Sequence, residues 1–312
     1  MRTPSHNDMP HRDMPHSDMA THSDFSASWL ALREAADHRA RDDQQLLINT
    51  CRDWLASRPH QSDLQLLDLG CGSGSNLRYL ASRLPPRQHW ILIDQDPDLL
   101  AHARDDGRPP HGNIIDIDCR TRNLFDLDQA LPHHVLADTD IVTASALLDL
   151  VSKPWLETLI KRCASHQCVL WLAMSIDGDN VLIDRKDRSV DADLLAMDQR
   201  VQQLIRAHQQ RDKGFNGALG TQAPTVAADL LTQAGYRVIK TRSLWRLDGS
   251  DPDQALLARA LVQGWLEAAL EQSPEEREAL MTWHENRQRD IADGRLTITV
   301  GHTDLFAVPG VS

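Results

Sequence analysis

Tyrosine and phenylalanine are scarce in this chain. Two tyrosines and four phenylalanines stand beside eight tryptophans, 4% of the 312 residues in all. Tyr79 precedes no lysine by four residues, whereas Tyr236 precedes Lys240 by four, the spacing of the Tyr-x-x-x-Lys pattern used by one class of NAD-dependent oxidoreductases. Cysteine is also sparse. The five residues Cys51, Cys71, Cys119, Cys163 and Cys168 are odd in number and form no CxxC pair. A disulfide frame or a zinc knot is therefore not expected, and reduced thiols in a cytosol are. No run approaches the roughly 18 apolar residues that span a bilayer. The N-terminus lacks an apolar signal core, so a cytoplasmic protein is expected. Positive charge is in deficit: 33 basic against 45 acidic residues give a net charge of −12. A field of that sign repels phosphate backbones and makes nucleic acid an unlikely partner.

Hydrophobic residues make up 41% of the chain, enough for a real core. Residues 1–25 repeat His-x-Asp-Met-Pro in near copies and carry no helical or strand period, the mark of a disordered tail. Spaced histidines suit a metal, but a solvated tail is the expectation and no metal site is assigned. Residues 26–312 read as a single domain. Apolar positions at helical intervals run from Trp29 to Leu55. Strands then alternate with helices: strands at Leu64–Leu69, Trp90–Ile93, Ile114–Asp118, Ile141–Ala144 and Cys168–Ala173, with helices between. That alternation implies an α/β fold with a doubly wound, mostly parallel sheet. Helical insertions are expected near 178–222 and 250–295, around a sixth strand at Tyr236–Leu247 and before a last strand at Leu296–Val308.

The most informative stretch is Leu66-Leu67-Asp68-Leu69-Gly70-Cys71-Gly72-Ser73-Gly74-Ser75-Asn76. A buried strand runs into three glycines and then a helix. Glycine accepts left-handed angles and lets a ligand approach the main chain, and a helix start presents unpaired N–H groups. Twenty residues after Gly74, Asp94 closes the second strand, where an acid accepts from both ribose hydroxyls. Together these describe a site for an adenosine-bearing ligand. NAD satisfies it too, but the dinucleotide fingerprint is GxGxxG, not GxGxG. Asp68 before the loop further suits a ligand with a cationic part.

Leu67-Asp68-Leu69-Gly70-Cys71-Gly72-Ser73-Gly74 resembles motif I of the class I, Rossmann-like S-adenosylmethionine-dependent methyltransferases. Ile93-Asp94-Gln95-Asp96-Pro97 is similar to their second motif. Thr121-Arg122-Asn123-Leu124 falls where that family has an acid and an apolar residue beside the adenine, with Asn123 in the acid's place. Asp140 to Leu148 matches their fourth strand and the loop after it, including Thr143. The resemblance implies a seven-stranded sheet and S-adenosyl-L-methionine as cofactor. It implies cofactor contacts from Asp68, Gly70, Cys71, Gly72, Gly74, Asn76, Asp94, Gln95, Asn123, Leu124 and Thr143, and methyl transfer by in-line displacement. The fourth strand is not followed by the Asn/Asp-Pro-Pro-aromatic motif of family members that methylate amino groups of nucleic acids and proteins, so a small-molecule acceptor is expected. Asp149, His208 and Asp212 are the catalytic candidates, and His208–Phe215 a candidate lid or clamp. The late helical insertion is a possible homodimer face. Two other functions fit the same residues: an NAD-dependent oxidoreductase, and a cofactor-binding regulatory module without turnover.

Overall fold

A computed structural model of the chain describes residues 27–42, 45–58, 63–106, 113–178, 182–185 and 192–310. The histidine-rich tail lies outside them. The region from Trp29 to Leu55 is two helices, α1 (Ala27–Asp42) and α2 (Gln45–Ala56). Five parallel strands follow: β1 (Leu64–Leu69), β2 (Gln88–Asp94), β3 (Ile114–Thr121), β4 (Ile141–Ser145) and β5 (Val169–Ile176). Between them run α3 (Ser75–Ala81), α4 (Pro97–Asp106), the short α5 (Leu127–Ala130) and α6 (His133–Ala137), and α7 (Lys153–Ser165). The remaining elements are β6 (Leu182–Arg185), α8 (Ala192–Gln209), α9 (Ala223–Gln233), β7 (Tyr236–Asp248), α10 (Pro252–Gln272), α11 (Arg277–Ala292) and β8 (Leu296–Pro309).

The sheet runs β3-β2-β1-β4-β5-β8, and β7 pairs antiparallel with β8 from Tyr236↔Pro309 to Asp248↔Thr297. β5 and β6 share the other edge of β8, at His302–Ala307 and Leu296–Thr299. The seven expected strands are present and mostly parallel. The eighth, β6, has four residues, too few to show a period in sequence.

Alternation along each strand sorts the core onto two faces. Leu67, Leu69, Val142, Leu170, Leu172 and Leu305 meet α7 and α9 on one face. Leu66, Ile141, Trp171, Ile298 and Phe306 lie on the other, against α1, α2, α3 and the insertion helices α8, α10 and α11. The second face also holds polar groups. Asp68, Thr143, Thr241, Ser243, His302 and Asp304 are buried there, together with Asp37 and Arg41 of α1. A buried pair, Arg287 with Asp198, fastens α11 to α8, and Trp283 Nε1 donates to the same carboxylate at 2.8 Å.

Candidate functional site

The carboxyl ends of parallel strands are where an open α/β sheet leaves its crevice. At the end of β1 the chain turns through Gly70, Gly72 and Gly74, with φ of +63°, +51° and +85°. A side chain is strained at all three positions, but their surroundings differ. A Cβ on Gly74 would stand 3.0 Å from Ala103 Cβ, so this glycine lets α4 pack close. A Cβ on Gly70 would meet Leu147 at 3.4 Å, and one on Gly72 would meet Leu30 of α1 at 3.1 Å. Leu30 therefore lies over the middle of the loop.

Asp94 organises the loop. Its Oδ2 accepts from the Gly72 N–H at 2.8 Å and its Oδ1 from the Asp96 N–H at 3.0 Å. Burial raises its pKa, opposed by these N–H donors. Each oxygen keeps a second lone pair for a ligand hydroxyl. Gln95 is exposed beside it. Asn123 is exposed as well and folds back, its Oδ1 accepting from Phe125 N–H at 2.9 Å. Leu124 is buried under the loop, with Cδ1 3.8 Å from the Cβ position of Gly70. Its carbonyl accepts from Trp155 Nε1 at 2.6 Å. Cys71 is buried, and burial with the Asp68 charge holds its thiol protonated.

Asp68, Asn76 and Thr143 sit together beneath the loop. Asn76 Nδ2 donates to Asp68 Oδ1 at 2.8 Å and to Thr143 Oγ1 at 3.0 Å. The Thr143 hydroxyl donates on to the Trp171 carbonyl at 2.9 Å. Asp68 is fully buried, and desolvation carries its pKa up to about 7 against the pull of Asn76 and Arg41. Its Oδ2 has no partner among the described residues.

Of the catalytic candidates, Asp149 lies in the loop after β4. Burial raises its carboxyl to about 6, countered by the charges of Arg33 and Lys213, and its Oδ1 has no partner among the described residues. The segment after α8 docks here: Leu219 N–H donates to Val151 O and Gly220 N–H to Asp149 O, each at 2.9 Å. Phe215 meets Trp155 edge-on at 5.5 Å. Asp212 is exposed and caps that turn, accepting from Gly214 and Phe215 N–H at 2.9 Å each. His208 stands 3.2 Å from Glu271 of α10.

The largest feature that the sequence reading omits is the underside of α1. Arg33, Asp37 and Arg41, four residues apart, form one stripe. Arg33 Nε donates to Asp37 Oδ2 at 2.9 Å, and Trp245 Nε1 to Asp37 Oδ1 at 3.0 Å. His302 lies against Trp245, with ring centroids 5.1 Å apart. Its Nδ1 is 3.3 Å from the Ser243 carbonyl, which makes Nδ1 the donor and leaves a lone pair on Nε2. Burial and the Arg33 charge push this imidazole down to about 4, so it is neutral. The hydroxyls of Ser175, Thr241 and Ser243 in the same layer have no partner among the described residues. The signal was in the sequence: three charges at i, i+4 and i+8, on a helix read only for its apolar spacing.

Among the described residues no three metal-ligating side chains converge, and no helix is long and apolar enough to cross a membrane.

Residues 66–167 match the family described as "Methyltransferase domain", a stretch that runs from β1 through α7. No curated protein matches the chain. Solved structures similar to it are distant. The cyclopropane synthase MmaA2 from Mycobacterium tuberculosis is 14% identical, with 91% of this chain and 94% of that one covered and a TM-score of 0.43. A putative sarcosine dimethylglycine methyltransferase from Galdieria sulphuraria is 15% identical, with 86% of each chain covered and a TM-score of 0.40. Magnesium protoporphyrin IX methyltransferase from Synechocystis PCC 6803, with bound SAH, is 14% identical, with 70% and 90% covered and a TM-score of 0.41. Over residues 66–167, a third of the chain, the sequence is thus similar to a methyltransferase domain.

Proposed function

We propose that the chain transfers a methyl group from S-adenosylmethionine to a small polar molecule, with the cofactor on the glycine loop. The observation that carries this reading is the cradle itself. Gly70 and Gly72 hold left-handed angles that strain any side chain, and Asp94 fixes the Gly72 N–H while keeping lone pairs for the ribose. Leu124 and Leu147 supply apolar surface under the loop for the adenine end, with exposed Asn123 and Gln95 at its rim. When bound, the cofactor supplies an activated methyl group open to in-line displacement by an acceptor lone pair. The chain's own task is to align the acceptor and keep water out.

The acceptor side lies under α1 and beside the docked 212–220 segment. Asp149 Oδ1, His302 and the hydroxyls of Ser175 and Ser243 are buried polar groups there, which supports a polar acceptor. Asp149 and neutral His302 are the groups able to take an acceptor proton. His208 and Asp212 brace the docked segment. The acidic net charge supports a small molecule over a nucleic acid, and we place the protein in the cytosol.

The test uses methyl-tritiated S-adenosylmethionine with small-molecule, RNA and protein fractions of a bacterial extract. Label is expected in the small-molecule fraction, removed by a Gly72→Val variant. Label confined to RNA or protein would overturn the acceptor assignment.

A further inference from the structure

One end of the sheet is closed by β3. Its inner side pairs with β2, and among the described residues no strand pairs its outer side. An open strand edge is a template for another chain, and proteins commonly guard one with charge. A guard works by repulsion, which needs charges of one sign. The edge here reads Asp116-Ile117-Asp118-Cys119-Arg120-Thr121-Arg122. Its acids stand on one side of Cys119 and its bases on the other, at mirror positions.

The backbone decides which groups reach outward. Arg122 N–H donates to Asp94 O of β2 at 2.8 Å. Successive residues of a strand turn their N–H and C=O groups to alternate sides, and the β3–β2 register is regular from Asp116 to Thr121. Asp118 and Arg120 therefore bond inward, and Ile117, Cys119 and Thr121 turn their backbone groups to the open edge. An antiparallel second copy centred on Cys119 meets those groups in kind: Cys119 faces Cys119, and Ile117 faces Thr121 in both directions. The same register sets Asp118 opposite Arg120 and Asp116 opposite Arg122. These positions alternate with the hydrogen-bonded pairs, and there opposed side chains come closest. Opposite charges stabilise such a pair and like charges destabilise it.

The side chains are accessible for this. Asp118 and Arg120 are 45% and 30% exposed and joined to each other along the strand at 2.7 Å. Asp116 and Arg122 are exposed. Two of the six large apolar side chains left exposed among the described residues, Ile115 and Phe125, stand just outside the two ends of this stretch. Antiparallel pairing brings the start of one strand beside the end of the other, so each apolar group gains cover from the opposite copy.

We propose that β3 is a self-recognition edge: two copies of this chain join β3 to β3, antiparallel and centred on Cys119, into one continuous sheet with two-fold symmetry. The seam stops before Asn123 and Leu124, so it stands apart from the methyl-transfer reading. It also lies at the opposite end of the sheet from α10 and α11, which pack on β7 and β8.

Sedimentation velocity of the full chain, over about 1–100 µM, tests this. Seven residues a side make a small seam beside the 20–30 of a standard interface, so a dissociation constant on the order of 10 µM is expected. Salt should weaken it, because its charge pairs are exposed. Two-fold symmetry makes every substitution act twice. Asp118→Arg sets like charges across the seam and is expected to raise the dissociation constant by about 10-fold or more. Arg120→Asp is expected to do the same, and the two together to restore the dimer. Cys119→Pro removes an outward N–H, which an edge strand tolerates, and is expected to leave a monomer. Circular dichroism checks that each variant is folded; should Cys119→Pro fail, the charge reversals still decide. A monomer throughout the concentration range would overturn the proposal. A dimer that the single reversals leave unchanged would place the interface on another face, and a double variant that stays monomeric would refute the register.

Discussion

The two faces of the sheet are built on different principles. The face toward α7 and α9 is closed by Leu67, Leu69, Leu170, Leu172, Ala227 and Leu231, all wholly buried. The face toward α1 interleaves such residues with Arg41, Asp68, His302 and Asp304, and leaves one atom each of Arg41 and Asp68 without a partner among the described residues. A protein built for stability alone fills such positions with apolar groups. The difference teaches which face is shaped for a ligand: the first holds the fold, and the second holds stability in reserve for what binds there.

Four perturbations break or sharpen that contrast. The largest effect is expected on the apolar face. Leu172→Ala opens a cavity in the closed layer and is expected to cost about 2–5 kcal/mol of unfolding free energy, read by urea denaturation. The affinity for S-adenosylhomocysteine should stay unchanged in the folded fraction; a large loss of affinity would show that the faces are not separable. On the other face, Gly72→Val places a β-branched residue at φ +51° against Leu30. Binding of S-adenosylhomocysteine is expected to fall by about 100-fold or more, roughly 3 kcal/mol, measured by titration.

His302 gives the polar face a pH signature. Its folded-state pKa of about 4 lies below the usual 6.5, so the unfolded chain takes up the proton first as pH falls. The stability that neutral His302 secures is present above pH 6.5 and is lost progressively down to about pH 4, up to about 3 kcal/mol. His302→Asn is expected to flatten that part of the stability profile. An unchanged slope between pH 6.5 and 4 would remove His302 as its source. The smallest effect is expected at Asp94, where Asp94→Ala removes the Gly72 anchor and the ribose acceptor. A loss of about 1–3 kcal/mol in cofactor affinity follows, with no change in the acceptor preference. Unaltered affinity in a folded variant would take Asp94 out of the site.

The same contrast explains what the sequence discloses. The strand-loop-helix from Leu64 to Ala81 was legible because a short apolar run, three glycines and a helix start leave one local answer. The long helices α8, α10 and α11 were legible from their spacing. The split of α1 from α2, and the four-residue β6, were not: neither break nor strand carries a period. Above all, the partners of the loop were hidden. Arg41 lies 27 residues before Asp68 in the numbering and His302 more than 230 after it, and only the fold of α1 across β7 and β8 brings them under one roof. Charged residues on a helix read as a solvated face unless the sheet beneath is known to be polar too.

The most direct test of the central claim is calorimetric titration of the purified chain with S-adenosylhomocysteine, with NAD as the comparison. Saturable one-to-one binding of S-adenosylhomocysteine and none of NAD is the predicted result. Binding of NAD alone, or of neither ligand, would contradict the assignment of the glycine loop to S-adenosylmethionine.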